Sequence, residues 1–246
     1  MTAPFPTRKL EEWRYADLEA LQPVWEQLGE PEQIAVLPGQ ALEQLWLPTG
    51  DAVQVRRVNV SLGAGASFRL FALNTAEQYG RIDLQVDLAD GAEFNFFAAN
   101  IGTDLSTNEI VTNVRHLEPN GSSHQVVRSV LNGKATGSYL GKIEVAHGAQ
   151  KTDAEQSVKA MLLDRGATAN AKPELEIFAD DVKCAHGATV GELDASQLFY
   201  LGSRGLPPAE ARALLLEGFI TGLWDDASEP DAICEAARDA LRRVVQ

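Results

Sequence analysis

The alternation of apolar and polar residues changes twice along the chain. Between residues 8 and 46, apolar residues recur at helical spacing in a stretch interrupted by prolines. From 51 to 190 the period is two, as in VQVRRVNVSL and RIDLQVDL, which is typical of strands with one buried face. Helical spacing returns from Asp194. The pattern predicts an N-terminal helical region at 1–48, a strand-rich core at 49–192 and a C-terminal helical region at 193–246.

A Gly-Ala step recurs after the predicted strands. The steps begin at Gly65, Gly91, Gly148, Gly166 and Gly187, and Asn120-Gly121 is a related turn. Glycine permits the positive φ of a tight turn, and alanine is small enough to pack under the next coil. Repetition at this period favours a β-solenoid, in which each coil stacks on its neighbours. An antiparallel sandwich with similar turns is the alternative that the periodicity leaves open.

The C-terminal region has the start signals of three helices. Asp194, with a glutamine three residues later, resembles a capping box. A proline pair ending at Pro208 starts the second helix. A third helix after Pro230 carries the apolar stripe Ile233, Ala237, Leu241 and Val244. Such helices can cover the open end of a solenoid or present a docking surface.

Composition and charge limit the classes of partner. The chain has 246 residues, with 21 lysines and arginines against 35 aspartates and glutamates, and a formal net charge of −14. Nucleic acids and anionic membranes attract proteins through many basic contacts, so neither is an expected partner. The sequence has no apolar run of signal-peptide or membrane-spanning type, and two cysteines make no disulfide framework. We therefore expect a cytoplasmic protein.

Cysteine and histidine are scarce, with two and four residues. A complete zinc or iron–sulfur site within the chain is therefore not expected. Cys184 and His186 are two residues apart, so on a strand both side chains leave the same face, and thiolate and imidazole both suit iron. The pair predicts a site shared with a partner. The alternative is that Cys184 is a buried packing residue.

The other histidines and the other cysteine are expected to be structural. His116, His124 and His147 lie in or beside strand–turn segments, which favours surface positions. Cys234 lies on the apolar stripe of the last helix and is expected in the core. Nucleophilic catalysis by Cys184 and His186 is not expected, because neither a third group nor an oxyanion hole is marked. The sequence has no GxxxxGK[ST] motif, so the chain is not expected to hydrolyse ATP.

Residues 173–219 read PELEIFADDVKCAHGATVGELDASQLFYLGSRGLPPAEARALLLEGF. This stretch resembles the signature of the SufB/SufD family, most closely its SufD branch. QKTDAEQSVKAMLL at 150–163 and PTRKLEEWRYADL at 6–18 fit the same family. Several motifs in the family's order are more specific than any single one. The resemblance implies a right-handed parallel β-helix over 49–192, with helical regions at both ends.

The function is implied by this resemblance. SufD pairs with its paralogue SufB through their β-helices, and each binds the SufC ATPase through its C-terminal helical region. The complex assembles a nascent iron–sulfur cluster at or near the SufB–SufD interface. The chain is therefore expected to be a non-catalytic scaffold subunit that holds no cofactor alone, with a transient cluster at the partner interface. A homodimer of the isolated chain is compatible with the same pairing.

The resemblance also gives roles to residues. His186 matches a histidine implicated at the SufB–SufD interface, and Cys184 is the second candidate ligand. The expected SufC-docking residues are Phe199, Tyr200, Arg204, Gly205, Arg212 and Phe219. Phe199 and Tyr200 are also expected to anchor their helix on the last β-coil, and Gly205 to end that helix.

A β-helix enzyme that processes polysaccharides is the alternative function. It would need acidic or basic groups that converge along an exposed groove. Asp180 and Asp181 are the notable acidic pair near the signature, but adjacent strand residues point to opposite faces. The scaffold is therefore the favoured interpretation.

Overall fold

The computed structural model describes residues 4–245. Twelve strands lie within this part of the chain. They are β1 Glu32–Val36, β2 Ala41–Trp46, β3 Val53–Leu62, β4 Ser67–Asn74, β5 Tyr79–Leu88, β6 Glu93–Gly102, β7 Thr107–His116, β8 Ser122–Leu131, β9 Thr136–Val145, β10 Asp153–Leu162, β11 Thr168–Ile177 and β12 Lys183–Gly191.

The strands form two parallel sheets of six strands each. The odd-numbered strands, in chain order, make the odd sheet, and the even-numbered strands make the even sheet. Successive strands of a sheet are one coil apart, from 26 residues for Val53 and Tyr79 to 32 residues for Thr136 and Thr168. The predicted β-solenoid is confirmed. The antiparallel sandwich is wrong, because every strand pair in the two sheets is parallel.

The main core lies between the two sheets. Alternate residues of each strand face inward, so Leu84 and Val86 of β5 meet side chains such as Phe68 and Phe94 of the even sheet. All four side chains are fully buried. Burial of an aliphatic or aromatic side chain of this size contributes about 1.5–3 kcal/mol, which makes stacking of coils the main source of stability.

The turns between the two strands of a coil confirm the role expected of the first Gly-Ala steps. Gly65 and Gly91 have φ values of 64° and 62°, and the alanine after each is fully buried. Asn120 takes the equivalent conformation with φ 59°. The step at Gly187 is different, because this glycine lies inside β12 and not in a turn.

The N-terminal region has less helix than predicted. It contains a 3₁₀ helix at Glu11–Trp13, α1 at Leu18–Leu21 and a second 3₁₀ helix at Gln22–Gln27. The helical boundary predicted at residue 48 is wrong, since β1 and β2 form the first coil before it. Parallel pairing with β3 and β4 overrides the weak helical spacing of both segments.

The N-terminal segment, residues 4–28, packs on the outer face of the odd sheet. Trp13 and Leu21 form a buried cluster with Tyr79 of β5. The guanidinium of Arg81 lies 3.7 Å from the Trp13 ring centroid, and Nη1 of Arg81 lies 3.2 Å from Glu109 Oε2. Both members of this ion pair are fully buried. The segment thus covers a charged cluster that would otherwise face solvent.

Three helices follow the last strand: α2 at Ala195–Ser203, α3 at Pro208–Thr221 and α4 at Asp231–Val245. The predicted stripe of α4 is buried with Leu216 and Ile220 of α3 against the outer face of the even sheet, including Phe71 and Val130. The helices therefore lie along the side of the solenoid and do not cover its end. No helix within residues 4–245 has the length and apolarity needed to cross a bilayer.

Candidate functional site at the open end of the solenoid

The last coil, β11 and β12, is the end of both sheets. We call its inner face the open end. The inward-facing positions are Ala171, Pro173, Leu175, Ile177, Cys184, His186, Ala188 and Val190, as their pairing with β9 and β10 shows. Ile177 is 39% exposed and Val190 is 47% exposed, although the positions below them are buried. An apolar inner face that reaches solvent is typical of a protein–protein interaction site.

Cys184 and His186 lie together at this open end. Cys184 pairs with Ala154, and His186 with Gln156, in the ladder between β12 and β10. Ala154 and Gln156 are buried inside the solenoid. The two candidate ligands therefore lie on the inner face of one strand. Cys184 is half-buried against the main core, and His186 is exposed.

The thiol of Cys184 is not activated by its surroundings. Burial raises its pKa, and the negative charge of Asp153 raises it further. A thiol with a raised pKa is a weak nucleophile at neutral pH and needs a metal ion or a base to remove its proton. The geometry is therefore better suited to ligation or packing than to catalysis by this cysteine.

The backbone edges of the open end differ. Lys183 N donates to Thr152 O at 2.8 Å, so the alternate N–H groups, from Cys184 to Val190, face the free edge of β12. In β11, Thr168 N donates to Ala135 O at 2.9 Å, so Pro173 is among the residues directed to the free edge. Proline has no N–H to donate. A strand that adds to the end finds a complete set of donors on β12 but not on β11.

One inward column of the even sheet ends in polar residues at the open end. From β2 to β12 it reads Gln44, Leu70, Phe96, Gln125, Gln156 and His186. Gln44 is half-buried, and the four side chains after it are buried. This column was not predicted from the sequence, although the aligned repeats SSHQVV, DAEQSV and KCAHGA place Gln125, Gln156 and His186 at the same position.

A buried hydrogen-bond network joins the two glutamines. Gln156 Nε2 donates to Tyr139 Oη at 3.1 Å, and Tyr139 Oη donates to Gln125 Oε1 at 3.3 Å. Thr112 Oγ1 also donates to Gln125 Oε1, at 2.8 Å. Gln156 Oε1 is buried and has no hydrogen-bond partner within residues 4–245. A buried amide oxygen without a hydrogen-bond partner lowers the stability of the fold by about 1–3 kcal/mol, so such atoms are rare unless they have a function.

The predicted docking residues of α2 lie on the surface of the protein. Phe199 is 78% exposed and Tyr200 is 56% exposed. The expected anchoring of α2 on the last coil is therefore wrong, because these rings face away from the rest of the chain. The guanidinium of Arg204 lies 5.1 Å from the Tyr200 ring centroid. Gly205, with φ 91°, follows the end of α2 as expected.

The predicted docking residues of α3 lie in two environments. Arg212 is exposed. Phe219 is half-buried, and Arg128 of β8 donates to its carbonyl oxygen while lying 5.2 Å from its ring centroid. Phe219 thus ties α3 to the even sheet. An apolar groove of about 500 Å³ runs between α3 and α4, where Glu217 and Arg238 are 2.6 Å apart.

The remaining candidates have structural surroundings. His116 is fully buried, so its predicted surface position is wrong, whereas His147 is exposed and His124 is half-exposed. Cys234 packs against the cluster of α3 and α4. Asp180 and Asp181 lie in the exposed turn between β11 and β12, and Lys151 forms an ion pair with Asp181.

Within residues 4–245, no group of three or more histidine, cysteine, aspartate or glutamate side chains is arranged to hold a metal ion.

Comparison with known proteins identifies the family. The model of the SufBD core domain, described as SUF system FeS cluster assembly, matches residues 43–219. This match covers most of the solenoid and reaches into α3. It therefore includes the open end, Cys184 and His186.

Three curated relatives are similar over parts of their length. An iron–sulfur cluster assembly SufBD family protein of Synechocystis is 31% identical over 199 residues, which cover 80% of this chain and 43% of the relative. SufD of Escherichia coli is 39% identical over 42% of this chain and 25% of its own length. SufD of Bacillus subtilis is 32% identical over 60% and 32%. The chain spans less than half the length of each relative.

Proposed function

The chain belongs to the SufBD core family of the SUF system, and from that premise we propose that it is a non-catalytic scaffold subunit in iron–sulfur cluster assembly. In this proposal it acts as a SufD-type subunit. It pairs with a SufB paralogue through the open end and binds the SufC ATPase through its C-terminal helices. The iron–sulfur cluster is the cargo that the complex builds.

One observation carries the proposal: Cys184 and His186 lie on the inner face of a terminal strand whose edge is free. Two side chains supply half of the ligands that an iron–sulfur cluster takes from protein. A partner coil placed on the open end would bring its own inner face against both residues. It would also bury the exposed Ile177 and Val190. A partner coil on the open end would thus complete both the ligand set and the burial of the apolar side chains.

The chemistry of the pair suits a cluster that is bound transiently. Imidazole and thiolate both bind iron, and ligation of Cys184 requires loss of its proton. Because ligation through sulfur releases a proton, it weakens as the pH falls, and the raised pKa of the Cys184 thiol moves this loss to higher pH. His186 is the more accessible ligand, because it is exposed.

The proposed SufC-binding surface is centred on α2. This helix has no buried residue and presents Phe199 and Tyr200 to solvent. Exposed aromatic side chains at this density are typical of protein interfaces. The adjoining α3 is held firmly on the solenoid, since Arg128 binds the carbonyl oxygen of Phe219. Force applied by a partner at α2 would therefore reach the even sheet.

The first test is co-purification of the tagged chain with SufB and SufC, followed by cluster reconstitution. We expect His186→Ala to keep the three-protein complex and to lose most of the reconstituted cluster, because the substitution removes an exposed ligand and no packing. His124→Ala is the matched control. It removes a half-exposed histidine from the outer face of β8, near Glu155, and should reconstitute as the wild type does.

The outcomes separate the parts of the proposal. If the complex forms and His186→Ala reconstitutes normally, the chain is a SUF subunit but His186 is not a ligand. If no complex forms under any nucleotide condition, the proposed partnership is wrong. A homodimer of the isolated chain that SufB dissolves would support the open end as the shared surface.

A further inference from the structure

The polar column beneath His186 changes what that residue can do. Gln125 and Gln156 lie in succession below His186, whereas Leu70 and Phe96 occupy the same column in the second and third coils and the half-buried Gln44 occupies it in the first. Burial of polar side chains lowers stability unless each one is satisfied. Leu70 and Phe96 show that the column accepts apolar side chains, so packing alone does not require the two buried glutamines.

The hydrogen bonds of this network run in one direction. Gln156 donates its Nε2 to Tyr139, and Tyr139 donates its hydroxyl to Gln125 Oε1. Both ends of this chain of bonds are unsatisfied within residues 4–245, because Gln125 Nε2 at its end and the amide oxygen of Gln156 at its start are buried without a hydrogen-bond partner. The Gln156 oxygen is therefore a buried acceptor without a donor. Donation by Nε2 leaves this oxygen polarised, which makes it a better acceptor.

The missing donor has a natural source one strand away. His186 occupies the rung directly after Gln156 on the same inner face. Neighbouring strands are about 4.8 Å apart, so rotation of the His186 side chain brings a ring N–H within hydrogen-bonding distance of Gln156 Oε1. The opposite position of the last coil is Ala171, which pairs with Tyr139 and leaves room for this movement.

We propose that Gln156 is the positioning residue of His186. Its amide oxygen accepts a hydrogen bond from one ring nitrogen, which fixes the tautomer and the orientation of the imidazole. The other nitrogen then keeps its lone pair directed out of the open end, where an iron ion would bind. Tyr139 and Gln125 hold Gln156 in place. Second-sphere partners of this kind change metal affinity by about 10- to 100-fold.

This inference rests on the proposed function, because it gives His186 a ligand's task. The hydrogen bond between Gln156 and His186 can still be tested without partners or a cluster. ¹⁵N NMR of the full chain reports the tautomer of each imidazole. The exposed His147 serves as the reference in the same spectra. We expect His186 of the wild type to occupy mainly one tautomer, in a ratio clearly different from that of His147.

Three variants assign the effect. Gln156→Met keeps the shape and removes the acceptor, so the tautomer ratio of His186 should approach that of His147. Gln156→Glu restores an acceptor oxygen and should restore the single tautomer. Gln44→Met is the matched control, because Gln44 lies in the same column at the other end of the solenoid, outside this network, and its substitution should leave the His186 ratio unchanged. Circular dichroism and thermal unfolding check that each variant is folded.

The companion measurement is cluster content after reconstitution with SufB and SufC. Gln156→Met should lower it about 10-fold or more at limiting iron, and Gln156→Glu should recover it. The inference is overturned if wild-type His186 shows the His147 ratio, a result that needs no variant. It is also overturned if Gln156→Met leaves the His186 ratio unchanged. Failure of the wild-type complex to build a cluster would instead count against the proposed function, while the tautomer result would stand.

Discussion

His116 lies fully buried at the end of β7. Its Nε2 is 2.9 Å from Ser123 Oγ, while Nδ1 has no hydrogen-bond partner within the described residues. Burial lowers the pKa of the imidazole to about 4. The folded protein therefore holds this ring neutral at a pH where the unfolded chain binds a proton.

We predict that this histidine makes the protein sensitive to acid. Because the pKa is lower in the folded state, stability is fully present above about pH 6.5 and is lost as the pH falls towards 4. The loss amounts to at most about 3 kcal/mol of the free energy of unfolding. Urea unfolding between pH 7 and 4.5 should show a shallower pH dependence for His116→Asn than for the wild type. The exposed His147→Asn should keep the wild-type dependence, and an equal slope for His116→Asn would refute the assignment.

The orientation of single side chains was predicted well where two residues lie on the same face of a strand. The spacing of Cys184 and His186 placed both on the inner side of a strand, and the pairing with β10 agrees. Spacing could not reveal that His116 is buried, since the end of a strand can turn towards either core or solvent. The polar column at Gln125 and Gln156 was missed because β8 carries polar residues on both faces, Ser123 and Gln125 inside and His124 and Arg128 outside, so alternation does not tell which face is buried.

Among the helices, α2 contributes least to the core. It begins at Asp194, whose carboxylate accepts from Ser196 N at 2.8 Å, and it ends before Gly205. None of its side chains is buried. Local capping keeps its shape, and its aromatic face remains available.

We predict that this face can be removed at little cost to the fold. Phe199→Ala with Tyr200→Ala should shift the free energy of unfolding by no more than about 0.5 kcal/mol, because both rings are exposed. Binding of SufC, measured by calorimetry, should weaken at least about 10-fold, since exposed aromatic residues are frequent interface anchors. Leu105→Ala is the control, as Leu105 is 76% exposed in the turn after β6. Unchanged SufC affinity in the double variant would show that the docking surface does not include these two rings.

Strands were predicted best where one face meets solvent. RIDLQVDL alternates cleanly within β5. The alternation of VQVRRVNVSL in β3 changes phase at Arg56-Arg57, because Val53 and Val55 pack outward against the N-terminal segment. β1 and β2 were mistaken for helix, because EQIAV and ALEQLW are short and do not alternate apolar and polar residues. Only their pairing with later strands, a long-range contact, identifies them. The same holds for Gly187, whose neighbours resemble a turn but pair with β10.

At the scale of the whole molecule, both sheets are covered from outside and left open at the end. The N-terminal segment lies on the odd sheet, and α3 and α4 lie on the even sheet. The repeat pattern predicted the solenoid, but an amphipathic helix shows only that one face is covered. It does not tell whether that helix rests on the side or on the end of the coils, so the free end emerged only from the fold.

We predict that a charge on the open end blocks pairing without harming the fold. Val190→Lys places an ammonium group on the inner face, where it reaches solvent in the free chain because Val190 is 47% exposed. Covering it with a partner coil costs several kcal/mol. Association with SufB should weaken at least about 100-fold by analytical ultracentrifugation. Leu105→Lys is the control, and normal association of Val190→Lys would show that the partner binds elsewhere.

The two ends of a parallel solenoid are not alike, and this decides what an assembly can become. Stacking of the open end on the β1–β2 end of another copy would create the same free end again, and growth would continue as a fibre. Contact between two open ends uses up both surfaces at once and stops at a pair. Pro173 removes one donor from the edge of β11, which penalises any stack that requires both sheets to continue without a break. A closed pair is thus the assembly that this architecture favours over a filament.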